Sequence, residues 1–161
     1  MTDIDSAQFR QLCGRFATGV VVITATAPTG SPAGMTANSF ASVSLVPPLI
    51  SINVDHAADM YGVLEAGVDF VINILSSEQE AVSRRFASGV GSKFDGIGYR
   101  QDERGLIVLD GVIAAIECGR HSQFVAGDHT IYVGRVVGGT VHDGRPLLYY
   151  RGGYLTPGGI S

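Results

Sequence analysis

Six short apolar runs, rich in β-branched residues and punctuated by glycine or proline, constrain this chain most. They are VVVITA (Val20–Ala25), PPLISINVD (Pro47–Asp55), FVINIL (Phe70–Leu75), VIAAIECGRH (Val112–His121), TIYVGRVVGGTVH (Thr130–His142) and PLLYY (Pro146–Tyr150). Runs of this length and composition read as strands, VVVITA as a buried one. Helical patterns are few. Phe9, Leu12, Cys13 and Phe16 stand at i, i+3, i+4, i+7 spacing, one apolar face that ends near Gly19. Residues 59 to 66 read as a short helix. Ser77-x-x-Glu80 is a capping-box pattern ahead of a helix that buries Ala81, Val82 and Phe86. With no repeated βα alternation, the expectation is a mainly β fold, an antiparallel barrel with peripheral helices, in a single domain over residues 1–161.

Charge and composition exclude several classes of function. The chain carries 45% hydrophobic and only 16% charged residues, which argues for a folded core and against disorder. Its net charge of -4 does not attract nucleic acid or an anionic membrane, so an anionic ligand must be held by local features. Cys13 and Cys118 lie far apart in apolar contexts and read as buried thiols of a reducing compartment. No apolar run reaches the roughly 18 residues of a membrane span, and the acidic N-terminus does not resemble a signal peptide. The expected location is cytoplasmic.

The usual catalytic signatures are missing. No G-x-G-x-x-G joins a strand to a helix, no P-loop is present, and His56, His121, His129 and His142 do not fall in a zinc-ligand spacing. Three stretches remain. GMTANSFASVSLVPPL (Gly34–Leu49) offers Thr36, Asn38, Ser39, Ser42 and Ser44 with little bulk. It can bring backbone donors and acceptors close to a flat polar heterocycle, or can simply be a strand with one wet face. SRRFA (Ser83–Ala87) with Lys93 can grip a phosphate, or form a solvated helix face. GDHTIYVGRV (Gly127–Val136) sets Asp128 beside His129 at a strand mouth, either as a polar strand end or as a site for a charged redox ligand. The residues alone reach a β-rich domain with a pocket for a polar, phosphorylated ligand; they do not reach a reaction.

Taken together and in order, GRFATGVVVITA, GMTANSFASVSLVPPLISINVD, RRFA, KF, GDHTIYVGRV and PLLYYRGGY resemble the short-chain flavin reductases, the reductase components of two-component flavin monooxygenases. The resemblance runs from about Phe9 to Tyr154. The family's G-D-H-x-x-x-x-G-x-V pattern is met by Gly127, Asp128, His129, Gly134 and Val136. It implies a flavin-binding split β-barrel, a homodimer, and hydride transfer from NADH, or less often NADPH, to FAD or FMN. Reduced flavin would then diffuse to a monooxygenase partner. By the same resemblance Thr36, Ala37, Asn38 and Ser39 would line the isoalloxazine edge, with Ser39 nearest N5. Ser51 and Asn53 would hold the ribityl or pyrimidine part. Phe86, Ala87, Lys93 and Phe94, assisted by Arg84 or Arg85, would surround the phosphate end, and Tyr154 would wall the pocket. His129 would position the nicotinamide, with Asp128 orienting it or closing the turn. HAADMY (His56–Tyr61) has Ala58 and Met60 where relatives carry hydroxyl residues, which leaves FAD and FMN both open. Two other readings stand beside this one: a split-barrel oxidase or reductase that retains its flavin and acts on another substrate, and a non-catalytic flavin-binding protein.

Overall fold

A computed structural model of the chain describes residues 4–89 and 91–155. In chain order the elements are α1 (Ser6–Cys13), β1 (Thr18–Gly19), β2 (Val21–Thr26), β3 (Pro32–Ala37), β4 (Ala41–Leu45), β5 (Pro48–Asp55), α2 (Asp59–Glu65), β6 (Phe70–Ile74), α3 (Glu80–Ala87), β7 (Tyr99–Gln101), β8 (Ile107–Leu109), β9 (Ala114–Ala126), β10 (His129–Val141), β11 (Leu148–Tyr150) and β12 (Gly153–Leu155). Seven strands form one antiparallel sheet in the order β3-β2-β6-β9-β10-β5-β4. Its end strands, β3 and β4, are not paired with each other, so the barrel wall is split there. The mainly β class with peripheral helices is the one the strand runs predict. Among the described residues no helix is long and apolar enough to cross a membrane.

β2 and β6 are buried on both faces. Val21, Ile23 and Ala25 join Phe70 and Ile72 in a core with Ile52, Val54, Leu64 and Cys118. The alternate residues Val20, Val22 and Val71 face a second core with Leu75, Phe86, Leu106–Leu109 and Leu147. A near-continuous apolar run is what a strand between two cores needs. One polar exception sits inside it. Asn73 is fully buried; its amide donates to Val22 O at 3.2 Å and Thr24 Oγ1 at 2.9 Å and accepts Leu109 N–H at 2.9 Å. Thr24 Oγ1 in turn donates to Ile107 O at 2.5 Å. These bonds fasten β8, which has no strand partner in the large sheet, onto the outer side of β2 and β6.

Several local expectations give way to specific contacts. The strand expected to stop at His121 runs on to Ala126, because β9 and β10, 13 residues each, form one long hairpin with bulges at Val133/Gly134 and Val136/Gly138. Gly134 is needed there, since a Cβ on it would lie 2.7 Å from Phe70 and 2.9 Å from Cys118. Ser77 does not cap α3. The cap is Gln79, whose Oε1 reaches back to Ser76 N–H at 2.9 Å while its Nε2 donates to Asp110 O at 2.8 Å. Phe86 is buried and Val82 half-buried, but Ala81 faces water because α3 turns only its Ser83–Phe86 side to the core.

The first helix ends at Cys13 rather than near Gly19; Gly14 closes it with its N–H on Arg10 O at 2.8 Å. Its apolar face meets no core in this chain: Phe9, Leu12 and Phe16 are 55%, 61% and 78% exposed. Cys13 is exposed with them, and only Cys118 is the buried thiol expected of both. Burial is the main cause that pushes the Cys118 thiol up to about 12, so it is chemically quiet at neutral pH.

An Asn73→Ala chain is expected to lose roughly 2–3 kcal/mol, because Leu109 N–H and Thr24 are left without their buried partner. Urea unfolding measures this; a loss below about 0.5 kcal/mol would mean that β8 is held by apolar packing alone.

Candidate functional site

β3 is an edge strand made of small residues, PAGMTA. It pairs only with β2, from Val21↔Ala37 to Thr26↔Pro32, so alternate backbone groups face away from the sheet. Gly34 lets the Phe86 ring approach; a Cβ there would lie 2.6 Å from it. Thr36 Oγ1 donates to Ser83 O at 2.6 Å, and Ser83 Oγ shares a hydrogen bond with Tyr154 OH at 2.8 Å. Tyr149 meets Tyr154 edge to face at 5.4 Å, and the Arg84 guanidinium lies 4.8 Å from the Tyr154 ring centre. Between these parts is a recess of about 190 Å³ lined by Thr36, Ala37, Asn38, Ala87, Tyr149 and Tyr154. A free strand edge beside two aromatic rings fits a flat heterocycle with donors and acceptors on its rim. Sequence reasoning missed Tyr149. The alternation in PLLYY could have shown that one of the adjacent tyrosines joins Tyr154.

Ser39 lies just beyond. Its hydroxyl donates to Asn53 O and accepts Asn53 N–H, both at 3.0 Å, bridging the exit of β3 to β5. That hydroxyl proton is committed to the backbone of β5, so Ser39 serves first as a clasp. Ser51, Asn53 and Asp55 share one face of β5 and stand opposite Val133, Ile131 and His129 of β10. Asn53 and His129 are thus one cross-strand pair apart, about 7 Å along the strands.

Gly127-Asp128 is the two-residue tip of the β9–β10 hairpin. Gly127 has φ +64, the positive value that a type II′ turn asks of its first central residue. Asp128 Oδ1 accepts from His129 Nδ1 at 2.7 Å, and Asp128 O accepts His56 N–H at 3.0 Å. Asp128 therefore both orients His129 and closes the turn. With Nδ1 bonded to the carboxylate, Nε2 is the nitrogen left for a ligand. His56, which no sequence pattern marked, stacks on Tyr61 at 4.7 Å and bonds Thr130 Oγ1 through Nε2 at 3.0 Å.

The expected phosphate end is built differently from its sequence reading. Arg84 is paired with Glu80 at 2.7 Å, and Arg85 donates to Lys93 O and Ser92 O, both at 3.1 Å. Both guanidiniums are thus committed to protein partners. Phe86 and Phe94 meet edge to face at 5.0 Å and belong to the core, Phe94 also bordering the cavity beside Lys93. Lys93 remains. Its ammonium reaches Gly34 O at 3.3 Å beside a cavity of about 450 Å³ between the 91–94 segment, Ser31–Gly34 and the start of α2. Its other N–H groups can serve an anion there.

Residues 13–158 match the flavin reductase like domain family. An NADH-dependent FMN reductase of Agrobacterium fabrum is 41% identical over 93% of this chain and 85% of its own. The reductase subunit of a flavin-dependent monooxygenase of Rhodococcus jostii is 38% identical over 94% of this chain and 77% of its own. An NADH:FAD oxidoreductase of Streptomyces globisporus, solved with NAD and FAD fragments, superposes with a TM-score of 0.89 at 35% identity, covering 98% of this chain and 99% of that one. An oxidoreductase of Sinorhizobium meliloti superposes with a TM-score of 0.93 at 39% identity over 96% of this chain, which spans 54% of that longer one.

The Asp128 carboxyl is held below its ordinary value of 3.8, first by the His129 hydrogen bond and then by its charge. Folding therefore favours the ionised form; the gain is complete above 3.8 and disappears as the pH falls through the lower folded value. Carboxyl-carbon NMR titration is expected to place the Asp128 midpoint below 3.8, and His129→Ala to raise it. An unchanged midpoint in the variant would show that the pair does not persist in solution.

Proposed function

The chain belongs to the flavin reductase like domain family, and on that premise we propose that it is an NAD(P)H:flavin oxidoreductase that transfers hydride from NADH to FAD or FMN. The reduced flavin leaves by diffusion for a partner monooxygenase. The observation that carries this reading is the bridge from β3 to β10: the small-residue edge at Thr36–Asn38 is joined through Ser39 and Asn53 to the face that holds His129. A ring bound at the edge and a nicotinamide held at the hairpin then share one surface.

When bound, flavin supplies the redox chemistry, accepting a hydride from the reduced nicotinamide. The protein supplies position. Backbone groups of β3 and the amide of Asn38 read the polar rim of the ring, while Tyr149 and Tyr154 wall it. Ala87 keeps the approach to the recess open, and Ser51 and Asn53 continue the polar face away from it. Lys93 meets the phosphate end, with Arg85 holding its loop in place. His129, fixed by Asp128 through Nδ1, offers Nε2 as an acceptor for the nicotinamide carboxamide. Hydride transfer asks for donor and acceptor in close contact, on the order of 3 to 3.5 Å, and for no proton at the carbon. His129 is therefore a positioning residue.

The unpartnered face of α1 supports a homodimer. Phe9 and Leu12 project from a helix with no buried residue, and Phe16 just beyond its end is exposed as well, an arrangement a second copy would cover. The reading takes residues 1–161 as one catalytic domain working in the cytoplasm.

Dialysed protein is expected to consume NADH only when flavin is added, with saturation in flavin; the relative KM for FAD, FMN and riboflavin then names the preferred acceptor. Turnover without added flavin would assign a retained prosthetic group, and none with NADH or NADPH would refute the activity. His129→Ala is expected to raise KM for NADH about tenfold, as one lost hydrogen bond allows, and to move flavin KM less than about twofold. Equal effects on both substrates would remove His129 from the nicotinamide side. Sedimentation should give twice the chain mass for the native protein and a monomer for Leu12→Glu; a native monomer would end the dimer proposal.

A further inference from the structure

The last turn of α1 and the β11–β12 turn enclose a recess of about 460 Å³ on which Arg10, Arg15 and Arg151 converge, with Gln11, Gly14 and Gly152. The two pieces are tied together, since Arg151 N–H donates to Gly14 O at 3.0 Å. The side chains of these three arginines make no ion pair and no hydrogen bond with any described residue. Arg84, Arg85, Arg104 and Arg120 have such partners; Arg100, Arg135 and Arg145 have none among the described residues either, but none of them lines this recess, and only here do three such side chains gather. Three cations gathered without a counter-ion repel one another, and an anion seated among them would relieve that.

Arg151 is also out of place by turn chemistry. It has φ +52, and Gly152 beside it has φ +82. A two-residue hairpin turn with both central φ values positive favours Asn-Gly or Asp-Gly. The turn does not select arginine at its first position, so the side chain's use lies elsewhere.

The recess is not isolated. An adjoining cavity of about 440 Å³ shares Arg10, Gly14, Arg151 and Gly152 with it, and reaches Asn38 and Tyr149 of the ring recess. A passage therefore runs from the exit of β3 to the arginines. Lys93 lies at the opposite end of β3, bonded to Gly34 O. A flavin whose phosphate lies toward Lys93 leaves the arginine end for a different anion.

We propose that Arg10, Arg15 and Arg151 hold the diphosphate of the nicotinamide dinucleotide. This rests on the reductase reading above. Arginine forks suit phosphate oxygens bidentately, and a chain of net charge -4 needs such a local concentration of cations to draw in a dianionic bridge.

The test is a double variant, Arg10→Gln with Arg151→Asn. Asn keeps a residue that tolerates positive φ at the turn, and Gln keeps helix propensity. Its melting temperature is compared with the native chain's, and the conservative Arg10→Lys is carried alongside. The double variant is expected to weaken NAD⁺ binding and raise KM for NADH at least tenfold, while kcat/KM for reduced nicotinamide mononucleotide, which lacks the diphosphate bridge, changes less than twofold. Combined with Arg151→Asn, Arg10→Lys should lose less than the double variant does. A folded variant with unchanged NADH constants would overturn the proposal. So would a variant that binds FAD more weakly but FMN and NADH normally, because the diphosphate would then be flavin's. If the native chain reduces no flavin with either donor, the reductase reading fails instead. The arginine site is then judged by calorimetry with NAD⁺, and it stands only if NAD⁺ binds the native chain and not the double variant.

Discussion

Burial of β2 and β6 on both faces is the constraint on which the rest of this structure depends. Two strands with a core on each side must have apolar side chains in almost every position, and the second core must be closed by something other than the sheet. The segment from Leu106 to Leu109 closes it, held at its backbone by Asn73 and Thr24. Each polar group of that network is matched, which is what makes a buried amide tolerable between two cores. α3 then packs through Phe86 on the same outer core and against Gly34 of β3.

That packing decides what the site residues are free to do. Thr36 is spent on Ser83, Ser39 on Asn53, Arg84 on Glu80, and Arg85 on the carbonyls of Ser92 and Lys93. Phe86 and Phe94 belong to the core. The family resemblance gathers these residues as ligand contacts, and the geometry ties most of them to protein partners that frame the recess. What is left open to a ligand is the backbone of an edge strand, the amide of Asn38, the ammonium of Lys93, the two tyrosine rings and Nε2 of His129. A flavin reductase needs little more, since its chemistry belongs to the bound redox groups and the protein's task is to stack them.

Charge is distributed in keeping with that task. The chain is acidic overall, yet Lys93 and the arginine recess stand at opposite ends of β3. Two phosphorylated ligands approaching one ring recess from different sides would each meet a local cation. The apolar face of α1 borders the same passage through Phe9 and Cys13, with Phe16 just beyond the helix, so a subunit covering that face would also shape the entry of the second ligand.

The sequence by itself determined the strands, because β-branched runs between glycines and prolines have one economical use, and it set Asp128 and His129 at a strand mouth, though the hairpin that makes Gly127-Asp128 its tip came only with the pairing of β9 and β10. The order of its motifs was enough to place the chain in its family. It misplaced the boundaries where a remote contact decides: the N-cap position of α3 is Gln79, anchored by its side chain to Asp110 O, rather than Ser77, and β9 runs past His121 because its partner strand continues. It showed an apolar face on α1 but not what covers it, since an apolar stripe looks the same whether its cover comes from the same chain or from outside. Only the tertiary structure decided which polar side chains hold the frame and which face the ligand. Residue types announce what a side chain can bond. The packing of α3, the 91–94 segment and β3 against one another determines which of those bonds are already made, and the tie of Arg151 N–H to Gly14 O sets Arg151 beside Arg10 and Arg15 around one recess.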